Sequence, residues 1–152
     1  MTFDLKKKRV WVAGHNGMVG STLARKLENI GSELLTVSSQ ELDLRNQAAT
    51  RKWIKDVKPE AIFIAAAKVG GIWANNIYPT SFLYDNLMIE ANIIEAAASI
   101  DVEKLMLLGT GCIYPKMADQ PVKESSLLTG SLEPTNEWYA IAKISGIMMG
   151  QA

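Results

Sequence analysis

The stretch Arg9–Gly20, RVWVAGHNGMVG, limits the fold more than any other part of the chain. An unbroken apolar, valine-containing run stops at a glycine, the pattern of a strand buried on both faces. Glycines follow at 14, 17 and 20, and MVGSTLARKLENI then places Val19, Leu23, Leu27 and Ile30 on one helical face, with Gly31 as its stop. Strand, glycine turn and helix in direct succession form a cradle for a dinucleotide pyrophosphate. Gly14 permits the tight turn, Gly17 lets backbone amides approach a phosphate, and Gly20 lets the helix pack close to the sheet. The other reading is a turn before a helix that merely packs tightly.

The alternation continues along the chain. SELLTVS, AIFIAAA and KLMLLGT read as strands; NQAATRKWIKDV, SFLYDNLMIEANIIEAAASI and NEWYAIAKISGIMMGQA read as helices. Pro59 closes the second helix and Asn136 is a candidate N-cap of the last. KVGGIWANNIYPT reads as a long loop, and GCIYPKMADQPVKESSLLTGSLEPT as a loop rich in Pro, Gly and Ser. Strands that are apolar throughout need helices on both faces of a parallel sheet. The predicted class is therefore α/β, a doubly wound parallel sheet of Rossmann-like type. The expected spatial strand order is 3-2-1-4, with strand four as an open edge. No repeat or boundary divides residues 1–152, which read as one NAD(P)-binding domain, truncated before the last strands and the substrate domain.

Composition narrows the partners. Of 152 residues, 48% are hydrophobic and 21% charged, with 16 basic against 16 acidic side chains. This is a globular composition with no general drive toward nucleic acid or a membrane surface. One cysteine, Cys112, excludes an internal disulfide, and one histidine, His15, beside it gives no zinc-like ligand set, so no metal is expected. No signal core or spanning apolar run is present, which makes a cytoplasmic location the expectation.

About 20 residues beyond the glycine turn, where an acid would bind the ribose hydroxyls of NAD, the chain reads TVSSQ. Ser38 and Ser39 would not repel a 2′-phosphate, which favours NADP, although no arginine stands in that stretch to grip it. Asp43 either binds the adenine amino group or is an exposed loop acid. Near the chain's end, Tyr139 and Lys143 are four residues apart and share a helix face. A neighbouring ammonium favours the phenolate, which would make the tyrosine a usable acid or base near neutral pH. Thr110, at the carboxyl end of the fourth strand, offers a hydroxyl to a substrate carbonyl. Cys112 either moves protons beside a ketone or is a small buried apolar residue. Together the glycine loop, Thr110, Tyr139 and Lys143 have the order a hydride-transfer enzyme requires.

The segments VAGHNGMVG, AAAKVGGIWANNIYP, NLMIEANIIEAA, LGTGCIYPK and LEPTNEWYAIAKISG closely resemble the GDP-L-fucose synthase family of the extended short-chain dehydrogenase/reductases. The resemblance covers nearly the whole chain. It implies NADPH-dependent 3,5-epimerisation and 4-reduction of GDP-4-keto-6-deoxy-D-mannose, carried out by a homodimer when full length. It implies that Tyr139 protonates the C4 oxygen, that Lys143 tunes Tyr139 and holds the cofactor ribose, that Thr110 hydrogen-bonds the carbonyl and that Cys112 serves epimerisation. It also implies cofactor contacts from Gly14, His15, Asn16, Gly17, Met18, Val19, Gly20, Ser39, Asp43, Leu44, Leu108, Gly109, Thr110, Gly111 and Lys143. Three positions depart from the family pattern. Thr110 stands where serine is common, Gly111 replaces a small hydroxyl residue, and Asn16 and Ser39 stand where some NADP-preferring members carry arginine. The family continues for about as many residues again, supplying a catalytic histidine and the sugar-nucleotide domain, so the chain reads as an N-terminal part that is inactive alone. The competing expectations are a non-catalytic dinucleotide-binding fragment and a related nucleotide-sugar epimerase or dehydratase. The latter's elimination chemistry is disfavoured by TGC, which offers a thiol and no carboxylate.

Overall fold

The structure, a computed structural model, describes residues 3–152. It has four parallel strands, β1 (Arg9–Ala13), β2 (Glu33–Leu35), β3 (Ala61–Ile64) and β4 (Lys104–Leu107). Five helices accompany them: α1 (Met18–Asn29), α2 (Gln47–Val57), α3 (Ile72–Ile77), α4 (Pro79–Ala98) and α5 (Glu137–Gln151). The chain forms two compact units. One holds the residues up to Ala67 together with Met88–Leu108; the other holds Lys68–Leu87 and Gly109–Ala152.

The first unit is the sheet with its helical cover, and side-chain alternation along the strands explains its two layers. Val10 and Val12 of β1 and Ala61 of β3 join Leu27 of α1 in one cluster, with Leu23 and Phe63 against it. Trp11, Ala13, Ile62 and Ile64 point the other way, into a cluster with Ile54 of α2 and Ile93, Ile94, Ala96 and Ala97 of α4. Period-two alternation thus serves two buried faces, which is why the strands read as unbroken apolar runs. The Trp11 and Trp53 rings meet at 4.6 Å between centroids, tying β1 to α2. Asn46 caps α2 by accepting from the Ala49 N–H at 3.1 Å, and Lys58 ends the helix in the left-handed region just before Pro59. Among the described residues no helix is long and apolar enough to cross a membrane.

The α/β class and the parallel sheet match the expectation, but the strand order does not. The sheet runs β2-β1-β3-β4, with β3 paired directly to β1 (Val12 opposite Phe63), not placed beyond β2. The physical reason lies in the two strands. AIFI is apolar throughout, with Ala61, Ile62 and Ile64 at most 1% exposed, and only a central position covers both its faces. ELL is three residues long, suits an edge, and is followed by turns: the Ser38 N–H and hydroxyl both donate to Glu41, and Arg45 grips Asp43. The chain therefore passes from one side of β1 to the other between β2 and β3. The carboxyl ends of β1 and β3 thus border the switch point where folds of this kind bind ligands.

The second unit contains α3, the first turns of α4, α5 and two short 3-10 turns, Gly111–Ile113 and Glu124–Ser126. The segment expected as a long loop contains α3, and α4 begins at Pro79, where a missing N–H costs nothing. Asn86, 1% exposed, organises the approach to α3. Its Oδ1 accepts from the Lys68 N–H at 2.8 Å, and its Nδ2 donates to Lys68 O at 3.0 Å and to Phe82 O at 2.7 Å. Lys68 Nζ meets Asp85 at 2.8 Å and also bonds the Ser81 hydroxyl. Ile93 and Ile144 are core residues at 0% and 8% exposure, Ile89 packs against the sheet core, and Met148 is exposed.

Candidate functional site

The glycine turn belongs to the sheet unit. Gly14 has φ +84°, and a Cβ there would lie 2.7 Å from Ala66 Cα, so the turn requires glycine both for its conformation and for the close approach of the β3 exit. A Cβ on Gly20 would lie 2.1 Å from Gly14 O, which is how α1 comes so close behind the turn. Gly17 differs from both. It is the N-cap of α1, and its Cβ direction meets nothing nearer than Gly14 O at 3.4 Å. No side chain caps α1 and no acid stands in its first turn, so the first amides and the positive end of the helix are left for an anion. Met18 is 90% exposed and Val19 is also exposed, apolar cover at the mouth of the turn. Gly17's open approach and uncapped amides are what a phosphate needs.

His15 and Asn16 lie in this turn, and His15 Nδ1 is buried without a hydrogen-bond partner. Beyond β2, Ser39 is exposed, while Leu44 is half-buried and its carbonyl accepts from Asn92 Nδ2 at 2.9 Å. Asp43 is exposed and engaged by Arg45, through Nη2 at 2.8 Å and Nε at 2.9 Å. The Arg45 guanidinium holds its carboxyl below the usual aspartate range. Glu41 is likewise held low, chiefly by the Ser38 hydroxyl and N–H, with His15 a smaller influence. Leu108 follows β4 and donates its N–H to Ile64 O at 3.4 Å.

In the second unit, Thr110, Cys112 and Tyr139 line one cavity of about 340 Å³ with Val69, Gly70, Gly71, Ile72, Asn75 and Asn136. No Asp, Glu, Lys, Arg or His is among these lining residues, and the volume is at the lower end of ligand-pocket sizes. Thr110 caps the 3-10 turn Gly111–Ile113, its Oγ1 accepting from the Cys112 N–H at 3.5 Å. Gly109 and Gly111 flank it: nothing lies within 4 Å of a Cβ built on Gly111, while one on Gly109 would make ordinary contact with Ile147 Cδ1 at 3.9 Å and Ile113 Cδ1 at 4.0 Å. Tyr139 and Lys143 stand one turn apart on α5, Tyr139 in the cavity wall and Lys143 buried at 2% exposure.

Sequence reasoning missed the asparagines of this cavity. Asn136 was expected to cap α5, yet its side chain makes no cap bond; Nδ2 donates to Cys112 Sγ at 3.2 Å instead. Asn75, 6% exposed, spends Nδ2 on Gly70 O at 3.0 Å and Gly71 O at 3.2 Å. Oδ1 of each is buried without a partner. The available signal for Asn75 was a polar side chain beside apolar neighbours in IWANNI, and Asn136 gave none beyond its place as a candidate cap.

Fold and site together define a nucleotide-binding α/β enzyme scaffold of the epimerase and reductase kind, and residues 10–152 match the model of the NAD dependent epimerase/dehydratase family. The chain belongs to that family. More particularly, it is 55% identical over 148 residues to a GDP-L-fucose synthase of Sinorhizobium fredii, covering 97% of this chain and 47% of the relative. Among solved structures it resembles a GDP-D-glycero-L-gluco-heptose synthase from Campylobacter jejuni, determined in the presence of NADPH. That likeness has a TM-score of 0.91 and 38% identity, over 97% of this chain and 43% of the other. It also resembles a GDP-L-fucose synthetase from Naegleria fowleri bound to NADP, with TM-score 0.85 and 27% identity, over 99% of this chain and 49% of the other. The chain spans about half the length of the relatives it matches.

Proposed function

We propose that the protein carrying this chain is a GDP-L-fucose synthase, converting GDP-4-keto-6-deoxy-D-mannose to GDP-L-fucose by epimerising C3 and C5 and reducing C4. The observation that carries this reading is the convergence of Thr110, Cys112 and Tyr139 on one uncharged cavity, with Lys143 a turn beyond on the same helix. The likeness to synthases of this activity supports it.

NADPH is the cofactor of this reading, and the uncapped α1 and the open side of Gly17 fit its phosphates. Gly14, His15, Asn16, Gly17, Met18, Val19 and Gly20 would hold the pyrophosphate. Ser39, Asp43 and Leu44 would meet the adenosine end, and Leu108, Gly109, Thr110 and Gly111 the nicotinamide end. When bound, NADPH supplies the hydride for C4. The Thr110 hydroxyl hydrogen-bonds the C4 carbonyl oxygen, and the Tyr139 phenol gives that oxygen its proton as the alcohol forms. Lys143 donates to the cofactor ribose and stabilises the phenolate that Tyr139 becomes. Cys112 exchanges a proton at a carbon beside the ketone, whose acidity comes from delocalisation into the C4 oxygen.

The test is NADPH oxidation by the purified protein with GDP-4-keto-6-deoxy-D-mannose. Turnover is expected, and Tyr139→Phe should lower it about 100-fold or more. A protein that leaves this ketone unreduced, or a Tyr139→Phe variant with unchanged turnover, refutes the reading.

A further inference from the structure

Asn136 occupies the N-cap position of α5, where an asparagine side chain ordinarily accepts from a first-turn amide and stabilises the helix. Here it makes no such bond. Its Nδ2 donates to Cys112 Sγ at 3.2 Å, and its Oδ1 is buried with no partner. A cap forgone and a carbonyl left orphaned both cost stability. The cavity beside these groups has the marks of a ligand site: Asn75 Oδ1, in a side chain 6% exposed, is a second unpartnered acceptor among its lining residues. Its uncharged wall suits a neutral sugar ring better than a diphosphate.

We propose that Asn136 is a positioning residue for proton transfer at Cys112. Its amide fixes the sulfur in the cavity wall and stabilises the negative charge that forms there. The inference rests on the reading that the cavity takes a 4-keto sugar. In one direction the S–H bond breaks and its proton goes to the enolate carbon beside C4. The enolate's electron pair forms the new C–H bond, the carbonyl re-forms, and the S–H pair stays on sulfur facing the Asn136 N–H. In the other direction the thiolate takes a proton from that carbon and the C–H pair flows into the C4 oxygen. The N–H donates to sulfur in both states and more strongly to the thiolate, so it lowers the barrier to the transfer that leaves a thiolate and raises the fraction of thiolate available for the reverse one.

The experiment compares two rates in the protein that carries this chain. The first is uptake of solvent deuterium at the carbons flanking the ketone of GDP-4-keto-6-deoxy-D-mannose. The second is NADPH oxidation with the ketone already epimerised. Asn136→Ala removes the donor. Asn136→Ser also removes it but supplies a competent N-cap, so it keeps the helix start even if the alanine variant fails to fold. In both variants deuterium uptake is expected to fall about 10-fold further than reduction, the size of one hydrogen bond to a charged group. The serine variant restoring wild-type uptake would reduce Asn136 to a cap and overturn the proposal. So would an equal fall in both rates, which marks general loss of the cavity. A wild-type protein with no uptake overturns the functional reading as well; normal wild-type uptake with unaltered variants overturns this inference alone.

Discussion

Gly17 and Gly20 stand three residues apart in one turn, but a methyl group would meet different surroundings at each. At Gly17, φ is −75° and the nearest atom to an added Cβ is 3.4 Å away, so alanine is accommodated by the fold. At Gly20 the added carbon would lie 2.1 Å from Gly14 O and 2.9 Å from His15 Cα, so backbone must move. Gly20→Ala is expected to destabilise the protein by about 3 kcal/mol, at the upper end of overpacking costs. Gly17→Ala should cost about 1 kcal/mol or less, the scale of a poor N-cap, yet weaken NADPH by about 10-fold or more, because its methyl stands on the open side of the uncapped amides. Urea unfolding and NADPH fluorescence titration of the two variants check both halves. NADPH binding by Gly17→Ala at wild-type strength would remove the phosphate from this turn. The motif's spacing already gives Gly17 the open approach and Gly20 the close packing; the coordinates add the distances, 3.4 Å against 2.1 Å, that set how differently a methyl group is received.

Helices and strands in this chain were legible where one periodicity dominated and obscure where polar side chains did structural work. α1, α2 and α4 form where the sequence reads helix, although Val19 and Ile30 of the predicted α1 face are exposed, and β1 ends at Ala13, just before Gly14, as expected. What the pattern could not convey is which strand neighbours which: pairing depends on how many faces must be covered, and that decided the central place of AIFI. The α3 segment was likewise hidden, because six residues bearing two asparagines give no amphipathic signal, and its approach is organised by backbone bonds to Asn86. That side chain satisfies both the N–H and the C=O of Lys68 and also bonds Phe82 O. Removing it leaves part-buried backbone groups without partners, each costing about 1–3 kcal/mol. Asn86→Ala is therefore expected to lose about 3 kcal/mol in denaturant unfolding, and Asn86→Asp should lose at least as much, because its second carboxyl oxygen would face the Lys68 and Phe82 carbonyls that Nδ2 now serves. Equal stability of Asn86→Ala and the wild type would show that the Lys68 segment is held by other means. The asparagine of the cavity wall, Asn136, was equally hard to read, since the same residue type in the same place is usually a cap.

Charge at the scale of the whole chain nets to zero, so its pH response comes from particular pairs and not from general repulsion. At the amino ends of the strands, Lys8 Nζ meets Glu60 at 2.8 Å and Glu103 at 2.8 Å, and the Arg9 N–H donates to Glu60 Oε2 at 2.9 Å. This joins the starts of β1, β3 and β4. Lys8 holds the Glu60 carboxyl below its ordinary range, aided by the Arg9 N–H. Lys116 does the same for Glu133, at 2.9 Å in the second unit, with the Thr135 N–H a smaller contributor. Glu41 and Asp43 are lowered by their own partners, Ser38 and Arg45. Every one of these acids is more acidic folded than unfolded, so the stability each contributes is present above the ordinary carboxylate range and is lost as pH falls through the lowered folded value. Lys8 has the opposite sign. Glu103 first and Glu60 second raise its value, so its contribution is present below the ordinary lysine range and fades as pH climbs through the raised one. The unfolding temperature should therefore be flat between about pH 6 and 9 and fall below about pH 4, in the ordinary carboxylate range. Glu60→Gln keeps an acceptor for the Arg9 N–H but removes the titrating charge, so it should lower the plateau slightly and make the acid limb shallower than in the wild type. Because all these pairs lie near solvent, 1 M NaCl should shrink the same difference. An acid limb of identical slope in Glu60→Gln would locate the acid sensitivity elsewhere than in the bridge at the foot of the sheet.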